Sequence, residues 1–94
     1  MAQQHKADPN TIRIMQWLAE HSAEFEQGNV EETQIASAVG LANYDVTTAL
    51  DWLENKEAVV RFPHPLSTPA RTMLKPGRGW HDLLEKETGK AANQ

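Results

Sequence analysis

The side chains in this sequence that could do chemistry are few and scattered. Of four histidines, His81 sits at i, i+4 with the acid Glu85 on a helix. Two ligands do not make a metal site, and there is no cysteine to complete one. His21 falls on the inner side of a helical stripe and reads as a half-buried residue bonded to a neighbour. Ser22, Ser37 and Ser67 have no nucleophile-elbow context. Gly77 and Gly79 are too few and wrongly patterned for a loop that cradles phosphate. Acids are plentiful, but carboxylates on helices are normally a solvated face. No catalytic set, cofactor or metal is therefore expected. What remains is charge. Residues 1–57 hold three cations against ten acids, net −7, and residues 58–94 hold six cations against three acids, net +3. The basic part is where a surface for anions is to be sought.

The elements that position these residues have to fit one domain, since the chain has 94 residues. It is 39% hydrophobic and 23% charged, a composition of ordinary globular proteins with one modest core. The absence of cysteine excludes a disulfide framework and thiol catalysis, and is compatible with a reducing cytoplasm. No apolar run approaches the roughly 18 residues of a membrane span, and the first residues carry no apolar signal core. No membrane partner is expected. The overall charge of −4 weighs against a strongly basic nucleic-acid binder.

Residues 1–8 read as a polar, flexible start. Asp8-Pro9 then opens a helix, Asp as cap and Pro at the first position. Its stripe of Ile14, Leu18 and Phe25 predicts a helix over 9–25, ended by Gln27-Gly28-Asn29. Val30 stands alone in the link and can form an isolated bridge. A second helix over 31–39 carries Ile35, Ala36 and Val39, and Gly40 ends it. Asn43 reads as the cap of a third helix over 44–55, with Val46, Ala49, Leu50 and Leu53 on one face. Two short helices joined by Gly40-Leu41-Ala42 have the length and chemistry of a helix-turn-helix. Residues 58–62 and 71–75 read as strands around a loop with Pro63, Pro65 and Pro69. Pro76 opens a last helix over 77–88, with Trp80, Leu83 and Leu84 inward, and 89–94 is a polar, flexible tail. The predicted shared core is Ile14, Leu18, Ile35, Val39, Val46, Leu50, Leu53 and Leu74.

With that order, residues 9–88 resemble the winged helix-turn-helix superfamily in the style of the MarR and ArsR regulators. The residues that carry the resemblance are Ile35-Ala36-Ser37-Ala38-Val39-Gly40-Leu41, Val46 to Lys56 with Ala49, Leu50 and Leu53, then Ala58-Val59-Val60, and finally Leu74-Lys75-Pro76-Gly77-Arg78. The resemblance implies an α+β domain of three helices, a two-stranded wing and a C-terminal helix. Two departures bear on structure. Glu57 stands where the family usually has Gly, so Asn55 or Lys56 is expected to make the chain reversal. Lys75 replaces the usual Thr cap.

The family's mode of action implies duplex DNA as partner and transcriptional control as function. The third helix would read bases through Asn43, Tyr44, Thr47 and Thr48, since amides pair with adenine and threonine methyls touch thymine. Its outward face, with Asp45, Asp51, Trp52 and Asn55, carries no Arg or Lys. The wing supplies cations instead: Arg61 and Arg71, with His64 and Lys75, are expected on phosphates. The bland alternative pairs the two arginines with acids such as Glu54 or Glu57. A second function class remains open, a protein-binding module that uses Asp51 and Trp52 on the same helix, and a third, a stand-alone RNA-binding winged helix. Trp52 either packs under the wing or stands exposed as a partner anchor. Ile12, Trp17, Trp80 and Leu84 are candidates for the apolar face of a homodimer, the same residues being suited to a monomer core.

Overall fold

The computed structural model describes residues 7–66, 68–69 and 71–89. The expected flexible ends, up to residue 6 and from residue 90, and Ser67, lie outside the described residues. Eight elements follow in chain order: α1 Pro9–Glu20, α2 Ser22–Glu26, β1 Val30–Glu31, α3 Glu32–Val39, α4 Asn43–Asn55, β2 Val59–Pro63, β3 Thr72–Pro76 and α5 Trp80–Thr88.

The start of α1 follows from its sequence. The Asp8 carboxylate accepts a hydrogen bond from the Thr11 N–H at 2.8 Å, and Pro9 occupies a position that needs no donor. The predicted single helix over 9–25 is broken at His21, whose backbone leaves helical geometry at φ −114° and ψ 39°. The imidazole stacks on Trp17, ring centroids 4.0 Å apart, and its Nδ1 donates to the Trp17 carbonyl oxygen at 2.8 Å. That oxygen also accepts from the His21 N–H. One side chain thus engages the end of α1, and α2 begins beyond it with Phe25 in the core.

Gly40 ends α3 in the left-handed conformation, φ 72°. Its N–H and that of Leu41 both donate to the Ala36 carbonyl. Asn43 does not cap α4. It is the first residue of the helix, and Ala42 holds the cap position, its carbonyl accepting from the Val46 N–H. Glu57, rather than Asn55 or Lys56, makes the reversal after α4, at φ 62°. The Glu57 and Ala58 N–H groups return to the Glu54 and Leu53 carbonyls, so the last turn of α4 keeps its acceptors satisfied.

The last helix begins at Trp80, not residue 77. Gly77 and Gly79 donate their N–H groups to the Ala58 and Glu57 carbonyls, which holds this turn against the α4–β2 corner. Pro76 closes β3 instead of opening α5. Val30 and Glu31 form a short third strand, and the antiparallel sheet runs β1-β3-β2. Leu74 lies at its centre, opposite Val30 on one side and Arg61 on the other.

All eight predicted core residues are buried, and Met15, Phe25, Val30, Ala58 and Val59 join them. Trp80 is fully enclosed, edge-on to Phe25 with ring centroids 5.0 Å apart. Leu84 is 1% exposed. These two residues therefore have no surface for a dimer face, because their apolar area is satisfied within one chain. Ile12 and Trp17 are half-buried on α1.

Candidate nucleic-acid interface

Helix α4 is fixed by burying Val46, Ala49, Leu50 and Leu53. That burial turns the opposite face outward. Asn43, Tyr44, Thr47, Thr48, Asp51 and Asn55 are exposed, Tyr44 at 79%. The Thr47 hydroxyl donates to Glu32 Oε2 at 2.8 Å, while the Thr48 hydroxyl stands on open surface. Trp52 is half-buried against the core, with Lys56 Nζ 5.4 Å from its ring centroid. It packs on the flank of α4 and is not an exposed anchor.

The wing is β2, β3 and their connection. His64 closes its base, donating its N–H to the Arg71 carbonyl at 2.8 Å. The His64 Nδ1 accepts from the Leu66 N–H at 3.1 Å. This imidazole is thus engaged in shaping the turn. Lys75 lies on the exposed side of β3 with Nζ 5.7 Å from the Phe62 ring centroid. Arg71 keeps a side chain 62% exposed, with Nη1 3.9 Å from Glu31 Oε1. A groove of about 600 Å³ separates the wing from the starts of α3 and α4. Arg71 and Thr72 of the wing line it together with Asn43 and Thr47 of α4 and the acids Glu31 and Glu32.

Arg61, expected on phosphate, is engaged within the chain. Strand alternation sets it on the same face as Val59, opposite Leu74, so it points toward the helices. Its Nη2 is 2.7 Å from Glu54 Oε1 and bonds Asp51 Oδ1 as well, and its Nη1 is 4.0 Å from Glu32 Oε1. Burial works against the guanidinium charge. The hydrogen bonds to Glu54 and Asp51, and then their charges, outweigh it and hold the Arg61 pKa above its ordinary value. Arg61 thus pairs with Glu54, as the alternative expects, whereas Glu57 accepts from Arg78 Nε at 2.6 Å. The parts played by Glu31 and Glu32 were missed. Their signal was the position of residues 30–31 as a strand beside β3, which brings the start of α3 under the wing.

Among the described residues, no cluster of three or more His, Asp or Glu is arranged to hold a metal. His81 and Glu85 are both exposed on α5. No described helix is long and apolar enough to cross a membrane.

No family model matches the chain, and no curated protein matches it in sequence. Solved structures do. A point mutant of Staphylococcus aureus MepR superposes with a TM-score of 0.70 at 20% identity, over 87% of this chain and 56% of that one. MepR described as a transcription regulator of the multidrug efflux pump MepA gives 0.66 at 18% identity, over 86% and 55%. A MepR–DNA complex gives 0.69 at 20% identity, over 87% and 62%. The chain spans somewhat more than half the length of these proteins. The likeness identifies the architecture: this chain folds as a winged helix-turn-helix.

Proposed function

We propose that this chain is a DNA-binding winged helix that acts in transcriptional control. Helix α4 enters the major groove and offers Tyr44, Thr47 and Thr48 to base edges, with Asn43 at its start. The wing lies along the backbone, with Arg71 and Lys75 toward phosphates. The observation that carries this reading is the row of exposed, neutral, hydrogen-bonding side chains on α4, set beside a wing whose Arg71 is 62% exposed. Hydrogen-bonding side chains of this kind read base edges, while cations fix register on the backbone. The superposition on a MepR–DNA complex supports it from outside the chain.

Two copies side by side would present two α4 helices to paired half-sites, and the half-buried Ile12 and Trp17 on α1 are the residues available for such pairing. A mobility-shift experiment on duplex DNA tests the proposal. Arg71→Ala weakens binding to all sequences alike and lowers the salt slope by about one charge. Thr48→Ala changes sequence preference and leaves the slope in place, because a neutral side chain releases no counterion. The opposite assignment of these two effects would refute the division of labour between helix and wing.

A further inference from the structure

One guanidinium faces three carboxylates where the wing meets the helices. Asp51 and Glu54 stand on α4, and Glu32 is the first residue of α3. All three reach Arg61, with Nε also 3.2 Å from Glu54 Oε1. The group sums to −2 with Arg61 present and to −3 without it. Asp51 is 59% exposed and Glu54 44%, whereas Arg61 is 20% exposed. A phosphate approaching α4 therefore meets the acids before it meets the arginine. The Nε and Nη2 groups of Arg61 are taken up by two carboxylates, which leaves only the Nη1 edge, itself 4.0 Å from Glu32 Oε1, to face a phosphate.

We propose that Arg61 serves DNA binding as a positioning residue that offsets part of the charge of the Asp51–Glu54–Glu32 group and ties the wing to α4, not as a phosphate ligand. This rests on the DNA-binding reading above. The physical basis is long-range. Uncompensated carboxylates on the docking face repel a polyanion over roughly 8–10 Å at moderate salt. An arginine hydrogen-bonded among them cancels part of that field without touching DNA. The same bonds span β2 and α4, so they also set the angle at which Arg71 and Lys75 are presented.

The test is a thermodynamic cycle, read by fluorescence anisotropy on a labelled random-sequence duplex at low salt. Four proteins are compared: the native chain, Arg61→Ala, Asp51→Asn/Glu54→Gln, and the triple variant. Arg61→Ala is expected to weaken binding roughly tenfold in the native background, and less than about threefold once Asp51 and Glu54 are neutral. An equal or greater loss in the neutral background would make Arg61 a phosphate ligand and overturn the proposal. Asp51→Asn/Glu54→Gln alone is expected to bind at least about threefold tighter than the native chain. Unchanged or weaker binding by that variant overturns the proposal even if Arg61→Ala fails to fold, which its thermal melt reports. No binding by the native chain refutes the DNA-binding reading itself and this inference with it. Native binding without coupling refutes only the inference.

Discussion

Gly77 lies directly against the backbone of Glu57. A Cβ at Gly77 would run into the Glu57 carbonyl oxygen, and one at Gly79 would stand 2.9 Å from the Lys56 carbonyl oxygen. The turn before α5 is therefore seated on the end of α4 with no room for a methyl group. Gly77→Ala is expected to lower the unfolding free energy by about 2 kcal/mol or more, since backbone cannot move aside as a flexible side chain does. Gly40→Ala provides the contrast. There the left-handed backbone is strained but nothing lies within 4 Å of the added methyl. Urea titrations of the two variants measure the difference.

Glu57 holds a left-handed backbone that disfavours any residue with a Cβ. Glu57→Gly removes that penalty and gives up only an ion pair between exposed side chains. It should raise the melting temperature by a few degrees, and Glu57→Val should lower it. A lower melting temperature for Glu57→Gly would mean that the bond to Arg78 outweighs the backbone strain.

The Arg78 guanidinium, first by its hydrogen bond and second by its charge, holds the Glu57 carboxyl below the ordinary carboxylate pKa. A depressed native pKa stabilises the fold above the unfolded value, and that contribution is lost as pH falls through the native one. Carbon-detected NMR titration should place Glu57 below the ordinary Glu value of about 4.3. Arg78→Gln should return it there. A Glu57 titration unmoved by that substitution would contradict the pairing.

Trp80 belongs to the interior of a single chain. Trp80→Ala is expected to cost about 3–5 kcal/mol of stability. Trp80→Phe, which retains an aromatic ring against Phe25, should fold and leave the sedimentation coefficient unchanged. A change in sedimentation would place Trp80 at a contact between copies.

Most of the architecture was legible because apolar spacing dictates it. Ile35, Val39, Val46, Leu50 and Leu53 can share a core only as two short helices, and Ala58-Val59-Val60 is too branched for a third. The start of α5 shifted because of contacts distant in sequence, and the break at His21 arose from a ring contact only one turn back. Nothing in the local pattern shows that the His21 ring will stack on Trp17, or that Gly77 and Gly79 will be claimed by carbonyls twenty residues earlier. The row Tyr44, Thr47 and Thr48 was legible as the face left over by the core stripe. The surroundings of Arg61 were legible only in part: Glu54 was among its expected partners, whereas Asp51 and Glu32, brought in by α4 and α3, were not. The alternation of Arg61 with Val59 does put it on the inward side of the wing, and that clue was present in the strand itself.

The most direct measurement is binding of the native chain to random-sequence duplex DNA at roughly 10 mM ionic strength, where the Debye length is about 30 Å and attraction to the wing is least screened. It is then repeated as salt rises. Binding is expected, with a shallow negative slope of log affinity against log salt, because few cations face outward and Asp45 and Asp51 oppose approach. No binding at the lowest salt would contradict DNA recognition by this fold and favour a protein partner for the α4 face.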